Sequence, residues 1–185
     1  MEFSLLYQGP LKSNGTAKQK QEIHRVFHSQ LNVLWQQTPL NSFHEFLQEN
    51  PPTGKTSIIQ KVGTFKFAPL INENLKLAAE LNIIYLRPEA HVSLITQSRD
   101  IDNRLKTLFD ALRMAKVESE IPSGGTPKED EHPFFCVLED ASLITRVSVK
   151  TDRLLQPSPS ENHAHLLIGV KIKIVVGTWF KIAIG

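Results

Sequence analysis

The strongest constraint on the fold is an alternation of apolar and polar residues near the end of this 185-residue sequence. Apolar residues stand at every second position from Ile168 to Val176, and the positions between them include Gly169, Lys171 and Lys173. Successive side chains of a β-strand point to opposite faces of its sheet, so the pattern predicts a half-buried strand with a basic outer face. The two lysines could contact DNA, but we favour their ordinary role of discouraging edge-to-edge pairing.

Two other segments repeat their apolar residues with the period of an α-helix, which predicts one helical face buried in each. In the first segment these residues are Ile23, Phe27, Leu31 and Leu34, and in the second they are Ile101, Leu105, Leu108 and Leu112. Shorter apolar, β-branched runs predict further strands. These runs are residues 2–7, one or two strands within 56–71, the stretch from Leu81 to Pro88, "FFCVLED" and "SLITRVSVKT".

Composition and charge bound the class of protein. Hydrophobic residues make up 41% and charged residues 22% of the chain, which is ordinary globular usage, so we expect a single domain over residues 1–185. The formal net charge is only +2, so an anionic partner would have to be recognised by local basic clusters. The single cysteine, Cys136, excludes an internal disulfide and a cysteine-based zinc site, and its apolar neighbours predict core packing.

The sequence has no pattern typical of a membrane or secreted protein. The first residues, "MEFSLLYQGP", lack the basic flank and apolar stretch of a signal peptide, and no apolar run reaches bilayer length. We therefore expect a cytoplasmic protein with no membrane partner.

Two aspartates one residue apart, Asp100 and Asp102, stand at the start of the second helical segment, and Lys106 follows one turn later. In a helix, positions 100 and 102 would point roughly 200° apart, whereas in an extended segment they share one side. The two carboxylates therefore converge only if the helix starts at or just after Asp100.

A purely structural explanation accounts for these residues when they are taken alone. Aspartate is a good N-cap, acidic residues suit the first turn of a helix, and Asp102 with Lys106 makes a stabilising i, i+4 pair. A third acidic element, Glu139-Asp140, favours a metal site over this structural explanation, because the pair ends an apolar strand. Carboxylates from a helix start and a strand end form the oxygen-rich site that Mg²⁺ or Mn²⁺ needs. Such ions can activate water for phosphodiester hydrolysis, and a lysine can offset the charge that grows on the phosphate.

The stretch "RDIDNRLKTLFDAL", followed by a strand that ends in "LEDASLITRVSV", resembles the RusA family of Holliday junction resolvases. In that family an Asp-x-Asp-Asn opens a helix, a lysine follows one turn later, and an acidic pair lies on the next strand. The resemblance covers roughly Leu81 to Val149, with a weaker echo in the N-terminal "SNG".

The resemblance implies roles for individual residues. Asp100, Asp102 and Asp140 would be the metal ligands, with Mg²⁺ or Mn²⁺ as the cofactor. Lys106 would be the catalytic lysine, and all four residues would form the catalytic site. Asn103 would support the turn between the two aspartates.

The resemblance also implies a fold and a function. The fold would be α+β, a small mixed β-sheet with helices packed on one face. The activity would be that of a metal-dependent endodeoxyribonuclease that resolves Holliday junctions or other branched DNA in recombination and repair. The protein would act as a homodimer, because cutting two strands symmetrically requires two equivalent sites.

Three features depart from the family pattern. The acidic pair is Glu-Asp instead of Asp-Asp, the loop at about 116–133 is long and reads as mobile, and a C-terminal extension covers about 177–185. The first two favour an alternative, a non-catalytic DNA-binding or assembly protein that retains the resolvase fold. A third hypothesis is another metal-dependent nuclease or phosphoesterase on the same scaffold.

Basic residues and histidines elsewhere leave further alternatives. A cluster around the first loop and helix start fits either phosphate neutralisation or a solvated loop, and its members are Lys12, Lys18, Lys20 and Arg25. Arg99 and Arg104 would contact phosphate or offset the carboxylates.

His24 and His28 have the i, i+4 spacing of a zinc pair without a third ligand, so we expect surface or DNA-proximal histidines. Trp35 is expected to pack in the core, and so is Trp179.

Overall fold

A computed structural model of the chain describes residues 1–54, 56–88, 98–157, 159–160 and 162–175, with the side chains of 98–100 outside the description. The strands are β1 (Glu2–Pro10), β2 (Gln60–Val62), β3 (Phe65–Ile71), β4 (Leu77–Arg87), β5 (Phe134–Leu138), β6 (Ile144–Arg153) and β7 (His163–Ile174). The helices are α1 (Ala17–Trp35) and α2 (Ser98–Leu112), and short 3₁₀ helices cover Leu40–Leu47, Glu118–Glu120 and Ala141–Leu143. The predicted α+β class is confirmed.

The strands form two mixed sheets, whereas one sheet was expected. The larger sheet has the order β1-β7-β4-β6, with β7 antiparallel to both neighbours and β4 parallel to β6. The smaller sheet has the order β2-β3-β5, with β3 parallel to β5. The division arises at the turn between β3 and β4, where Lys76 takes a positive φ of 52° and the chain leaves one sheet for the other.

The alternation of apolar and polar residues predicted from Ile168 onward is confirmed in β7. Leu166, Ile168, Val170 and Ile172 are buried, whereas Lys171 is exposed. The buried side of the sheet packs on the helices, and the other side stays open, where Leu6 and Leu167 keep 49% and 43% of their surface exposed. Val176 and Trp179, like the expected extension at 177–185, lie outside the described residues.

The main core joins both helices to both sheets. Its buried members include Phe27 and Leu31 of α1, Leu108 of α2, Ile168 of the larger sheet and Phe135 of the smaller one. Trp35 is 2% exposed and packs in this core, as predicted. Cys136 belongs to a second buried cluster with Phe65, Phe67, Met114 and Phe134, which confirms its packing role.

The start of α2 differs from the sequence expectation. The helix begins at Ser98, so Asp100 already lies within the helical backbone. Backbone positions 100 and 102 are therefore about 200° apart around the helix axis, at 100° per residue. The expected helix start at or just after Asp100 is wrong. Residues 100–102 are helical and not extended, so positions 100 and 102 do not share one side.

The loop at 116–133 was expected to be mobile, but it is fastened to both helices. Its 3₁₀ helix carries Glu120, which accepts two hydrogen bonds from Arg113 at 2.8 and 2.9 Å. Further along, the 1% exposed Glu131 accepts from Arg25 Nε at 2.7 Å. Charge-assisted contacts of this kind hold the loop against the protein body because both partners are partly or fully buried.

None of the described helices is both long enough and apolar enough to cross a membrane.

Candidate functional site

The N-terminal half of α2 presents two of the predicted site residues to solvent. Asp102 and Lys106 are both exposed and lie one helical turn apart. Among the described residues, neither side chain is held in an ion pair, so the i, i+4 pair of the structural explanation does not form here. A carboxylate and an ammonium group are thus available side by side. The side chain of Asp100 lies outside the described residues.

The loop that precedes α1 is docked on this part of α2. Gly15 N donates to Thr107 Oγ1 at 3.0 Å, and Arg104 Nη1 donates to the Leu11 carbonyl at 3.0 Å. Gly15 is needed for the close approach, because a Cβ at this position would lie 2.6 Å from Thr107 Cγ2. The loop, which carries the exposed Lys12, is therefore held against the turn of α2 that contains Lys106.

Of the four basic residues of the first loop and helix, two are exposed and two are held in ion pairs. Lys12 and Lys18 are exposed, as a phosphate-contacting surface requires. Lys20 forms an ion pair with Asp110 at 2.6 Å, and Arg25 forms one with Glu131. Only half of the predicted cluster thus remains accessible beside α2.

Arg104, one of the two arginines that flank the aspartates, is structural. It is 6% exposed, and its guanidinium also donates to Asn162 Oδ1 at 3.1 Å. Because it is buried and donates to the Leu11 carbonyl and the Asn162 side chain, it does not contact phosphate in this arrangement. The side chain of Arg99 lies outside the described residues.

Asp140 lies beyond the other end of α2. Leu138 pairs with Arg113, the residue after the helix, and the Asp140 carboxylate forms an ion pair with Lys116. Ten residues separate Asp102 from Leu112, about 15 Å of helix at 1.5 Å per residue. The structure therefore brings Asp102 and Lys106 together and places Asp140 apart from them.

The Asp140 carboxylate is stabilised in its charged form. Its Oδ1 accepts a hydrogen bond from Ser142 N at 2.8 Å and so caps the 3₁₀ helix Ala141–Leu143. The ion pair with Lys116, and next the hydrogen bonds from Ser142, hold the pKa of Asp140 well below its usual range. Asp140 is thus ionised at neutral pH, as a metal ligand must be, but a cation already occupies it.

The first member of the acidic pair, Glu139, contacts β2 and the turn between β3 and β4. Its Oε1 accepts from Gln60 Nε2 at 2.6 Å and its Oε2 accepts from Glu73 N at 2.8 Å. The longer glutamate side chain reaches both donors, which gives a structural reason for Glu-Asp at this position. Within the described part of the chain, no three histidine, cysteine, aspartate or glutamate side chains converge as a metal site would require.

Both histidines expected at the surface are buried, and that expectation is wrong. His28 is 1% exposed, its Nδ1 accepts from Phe135 N at 2.9 Å, and its Nε2 lies 3.1 Å from the Asp130 carbonyl. These contacts tie α1 to β5 and to the long loop. His24 is 8% exposed, and its Nε2 has no hydrogen-bond partner among the described residues.

A cavity next to His24 was missed by the sequence reading. It has a volume of about 270 Å³ and lies between α1, the end of α2, the smaller sheet and the long loop. Its aromatic lining comes from Phe65 and Phe67 of β3 and from Phe134 of β5, which is far from them in the chain. The i, i+4 histidines were the one available signal, but their spacing alone did not indicate which way the helix faces.

Comparison with known proteins gives no family. No family model matches the chain, and no curated protein matches it.

Proposed function

We propose that this protein is a divalent-metal-dependent endodeoxyribonuclease that acts on Holliday junctions or other branched DNA. The observation that carries the proposal is the exposed pair Asp102 and Lys106 on α2, with the basic loop docked beside it. The carboxylate supplies a metal ligand and the ammonium group faces phosphate. Exposed Lys12 and Lys18 add sequence-independent attraction for the DNA backbone.

The proposed ligand set is Asp100, Asp102 and Asp140. A Mg²⁺ or Mn²⁺ ion held there would activate water and stabilise the leaving oxygen. The entry of Asp140 requires its ion pair with Lys116 and the two hydrogen bonds of the adjacent Glu139 to open. The segment around Ala141–Leu143 must then move by about 15 Å along α2. The proposal further includes a homodimer, because symmetric cutting of two strands needs two equivalent sites.

The test is cleavage of a synthetic four-way DNA junction with Mg²⁺ or Mn²⁺. We expect the wild-type protein to cut the junction and Asp102→Asn to lose at least 100-fold in rate, because a ligand of the activating ion is removed. Lys106→Met should lower the rate without weakening metal binding. Glu49→Gln is the matched control, since Glu49 pairs with Lys66 on another surface. Full activity in Asp102→Asn would remove the proposed mechanism.

The ion pair of Asp140 with Lys116 favours a second candidate function, non-catalytic DNA binding or assembly on the same fold. A lysine held at the third ligand position substitutes for a metal ion. It neutralises the charge of Asp140 but cannot activate water for cleavage. The junction assay separates the two candidates when it is paired with a gel-shift measurement. Junction binding with no cleavage in either metal would support the second candidate.

A further inference from the structure

One edge of the larger sheet is formed by a long strand, β6. This strand has ten residues, and in the described part of the chain it has a neighbouring strand, β4, on one side only. An edge strand presents a row of backbone N–H and C=O groups that a further strand can pair with. The outer edge of β6 is therefore a template for the addition of a strand.

The other edges of the two sheets are occupied or short. At β1, Leu6 N donates to Gln30 Oε1 at 2.9 Å and Gln30 Nε2 donates to the Leu6 carbonyl at 2.8 Å, so α1 occupies that edge. At β5, Met114 N donates to the Leu138 carbonyl at 2.9 Å. Strand β2 has only three residues. Among the described strands, β6 is thus the edge that is both long and open.

The side chains of β6 are exposed on both faces of the sheet. Val147 pairs with the buried Leu81 and so points to the helix-covered side, yet 42% of its surface is exposed. On the open side, Arg146, Ser148 and Lys150 are exposed. A strand added along β6 would remove apolar surface of Val147 from water as well as pair the backbone edge.

Symmetry limits how β6 of a second copy could be that strand. Two copies of β6 lie side by side and antiparallel when they are related by a two-fold axis perpendicular to the sheet. Directly opposite residues of an antiparallel pair point to the same face, so the axis must pass beside a residue and not between two residues. The two registers with the greatest overlap are centred on Ser148 and on Val149.

Charge distinguishes these two registers. The register centred on Ser148 places Arg146 opposite Lys150 of the second copy, twice by symmetry, and like charges directly opposite each other destabilise a sheet. The register centred on Val149 places Arg146 opposite Asp152 of the second copy, and it places Lys150 opposite the neutral Ser148. The strand is therefore complementary to itself in the second register, which favours a copy of this chain as the occupant.

We propose that two copies of this chain pair through β6, antiparallel and centred on Val149, so that two four-stranded sheets become one continuous sheet. The proposal deepens the proposed function, on which the expectation of a second copy rests, and names the surface that joins the copies. Val147 then lies opposite Thr151 of the second copy, a pair of β-branched residues that suits a strand. The axis keeps both helix layers on the same side of the joined sheet, so both proposed metal sites belong to one layer.

Sedimentation velocity of the full chain, without DNA or divalent metal, measures the association. We expect the wild type to be a dimer. Arg146→Asp should raise the dissociation constant at least tenfold, because two opposite-charge pairs become two like-charge pairs. Adding Asp152→Arg exchanges the charges and should restore the dimer. Lys171→Asp is the matched control, since Lys171 is exposed on β7, which β4 separates from β6.

Cysteine cross-linking tests the register. Directly opposite residues of antiparallel strands have Cα atoms ~4.5–5.5 Å apart, within the ~4.4–6.8 Å range of disulfides. Val149→Cys, at the axis, should therefore form an intermolecular disulfide under mild oxidation. Two copies of Val147→Cys would lie four residues apart along the strands, ~13 Å, and should not. The native Cys136 is 1% exposed and does not compete.

A monomeric wild-type protein would overturn this interface. So would equal weakening of the dimer by Lys171→Asp and Arg146→Asp, or equal cross-linking through Val147→Cys and Val149→Cys. Asp102→Asn should remain dimeric, so loss of cleavage in that variant leaves the interface standing. Junction cleavage by a monomer would overturn the interface and leave the proposed metal site intact.

Discussion

His24 makes the stability of the fold depend on pH at the scale of a single residue. Burial, followed by the neighbouring charges of His28 and Arg113, lowers the pKa of His24 from 6.5 to about 3. Between these two values the unfolded chain holds a proton that the folded protein does not, so stability falls as the pH falls below about 6.5. A group this deeply buried also has no water to stabilise its charged form.

We expect His24 to contribute about 2 kcal/mol to the loss of unfolding free energy between pH 7.5 and pH 5.0, since a unit of pKa shift corresponds to ~1.4 kcal/mol. Urea unfolding at the two pH values measures it. His24→Leu should reduce the pH dependence by about this amount. His44→Leu, at an exposed histidine, should keep the full dependence. An unchanged pH dependence in His24→Leu would contradict the neutral buried imidazole.

The pKa of Asp140 depends on one neighbouring residue, Lys116. Because the ion pair is the largest cause of the low pKa, Lys116→Met should raise the pKa of Asp140 toward the ordinary ~3.9 of aspartate. The stability that Asp140 contributes is present above that ordinary value and is lost as the pH falls through the lower folded value. A carboxyl ¹³C NMR titration measures the change, with Lys66→Met as the control. A pKa of Asp140 that stays low in Lys116→Met would assign the effect to Ser142 instead.

At the scale of elements, the contact between the first loop and α2 decides whether the basic residues stand beside the proposed site. Gly15 and Thr107 meet closely, and a methyl group on Gly15 would overlap the Thr107 methyl group at 2.6 Å. Thr107 is 2% exposed, so it has little room to move. Overpacking of this kind typically costs ~1–3 kcal/mol.

We therefore expect Gly15→Ala to lower the unfolding free energy by about 1–3 kcal/mol in urea titrations. Adding Thr107→Ser should restore most of the loss, because serine lacks the Cγ2 atom and keeps the hydroxyl oxygen that accepts from the residue-15 amide. Thr107→Ser alone is the matched control. No rescue in the double variant would show that the loop and α2 do not meet as described.

The elements that the sequence predicts well are those whose periodicity is set by burial on one face. β7 and α1 follow this rule, since alternation and helical spacing each identify the side that packs in the core. The start of α2 was predicted less well, because Ser98, Asp100 and Asp102 are all residue types that favour a helix N-terminus. Local preference alone does not choose among them.

At the scale of the whole molecule, long-range contacts limit what the sequence could predict. Lys116 comes to Asp140 only through the path of the long loop, and the division into two sheets follows from which strand β3 selects as its partner. The cavity has the same origin, because its phenylalanines come from two strands and its histidine from α1. Periodicity within a segment carries no information about which segments meet.

The proposed function depends on the binding of a divalent cation at the start of α2. Calorimetric titration with Mn²⁺ tests this most directly, with Glu49→Gln as a control that should match the wild type. We predict Mn²⁺ uptake by the wild-type protein, at least tenfold weaker uptake by Asp102→Asn, and weaker uptake by Asp140→Asn. Equal uptake by the wild type and Asp102→Asn, or no uptake by the wild type, would contradict the metal site and leave α2 an ordinary surface helix.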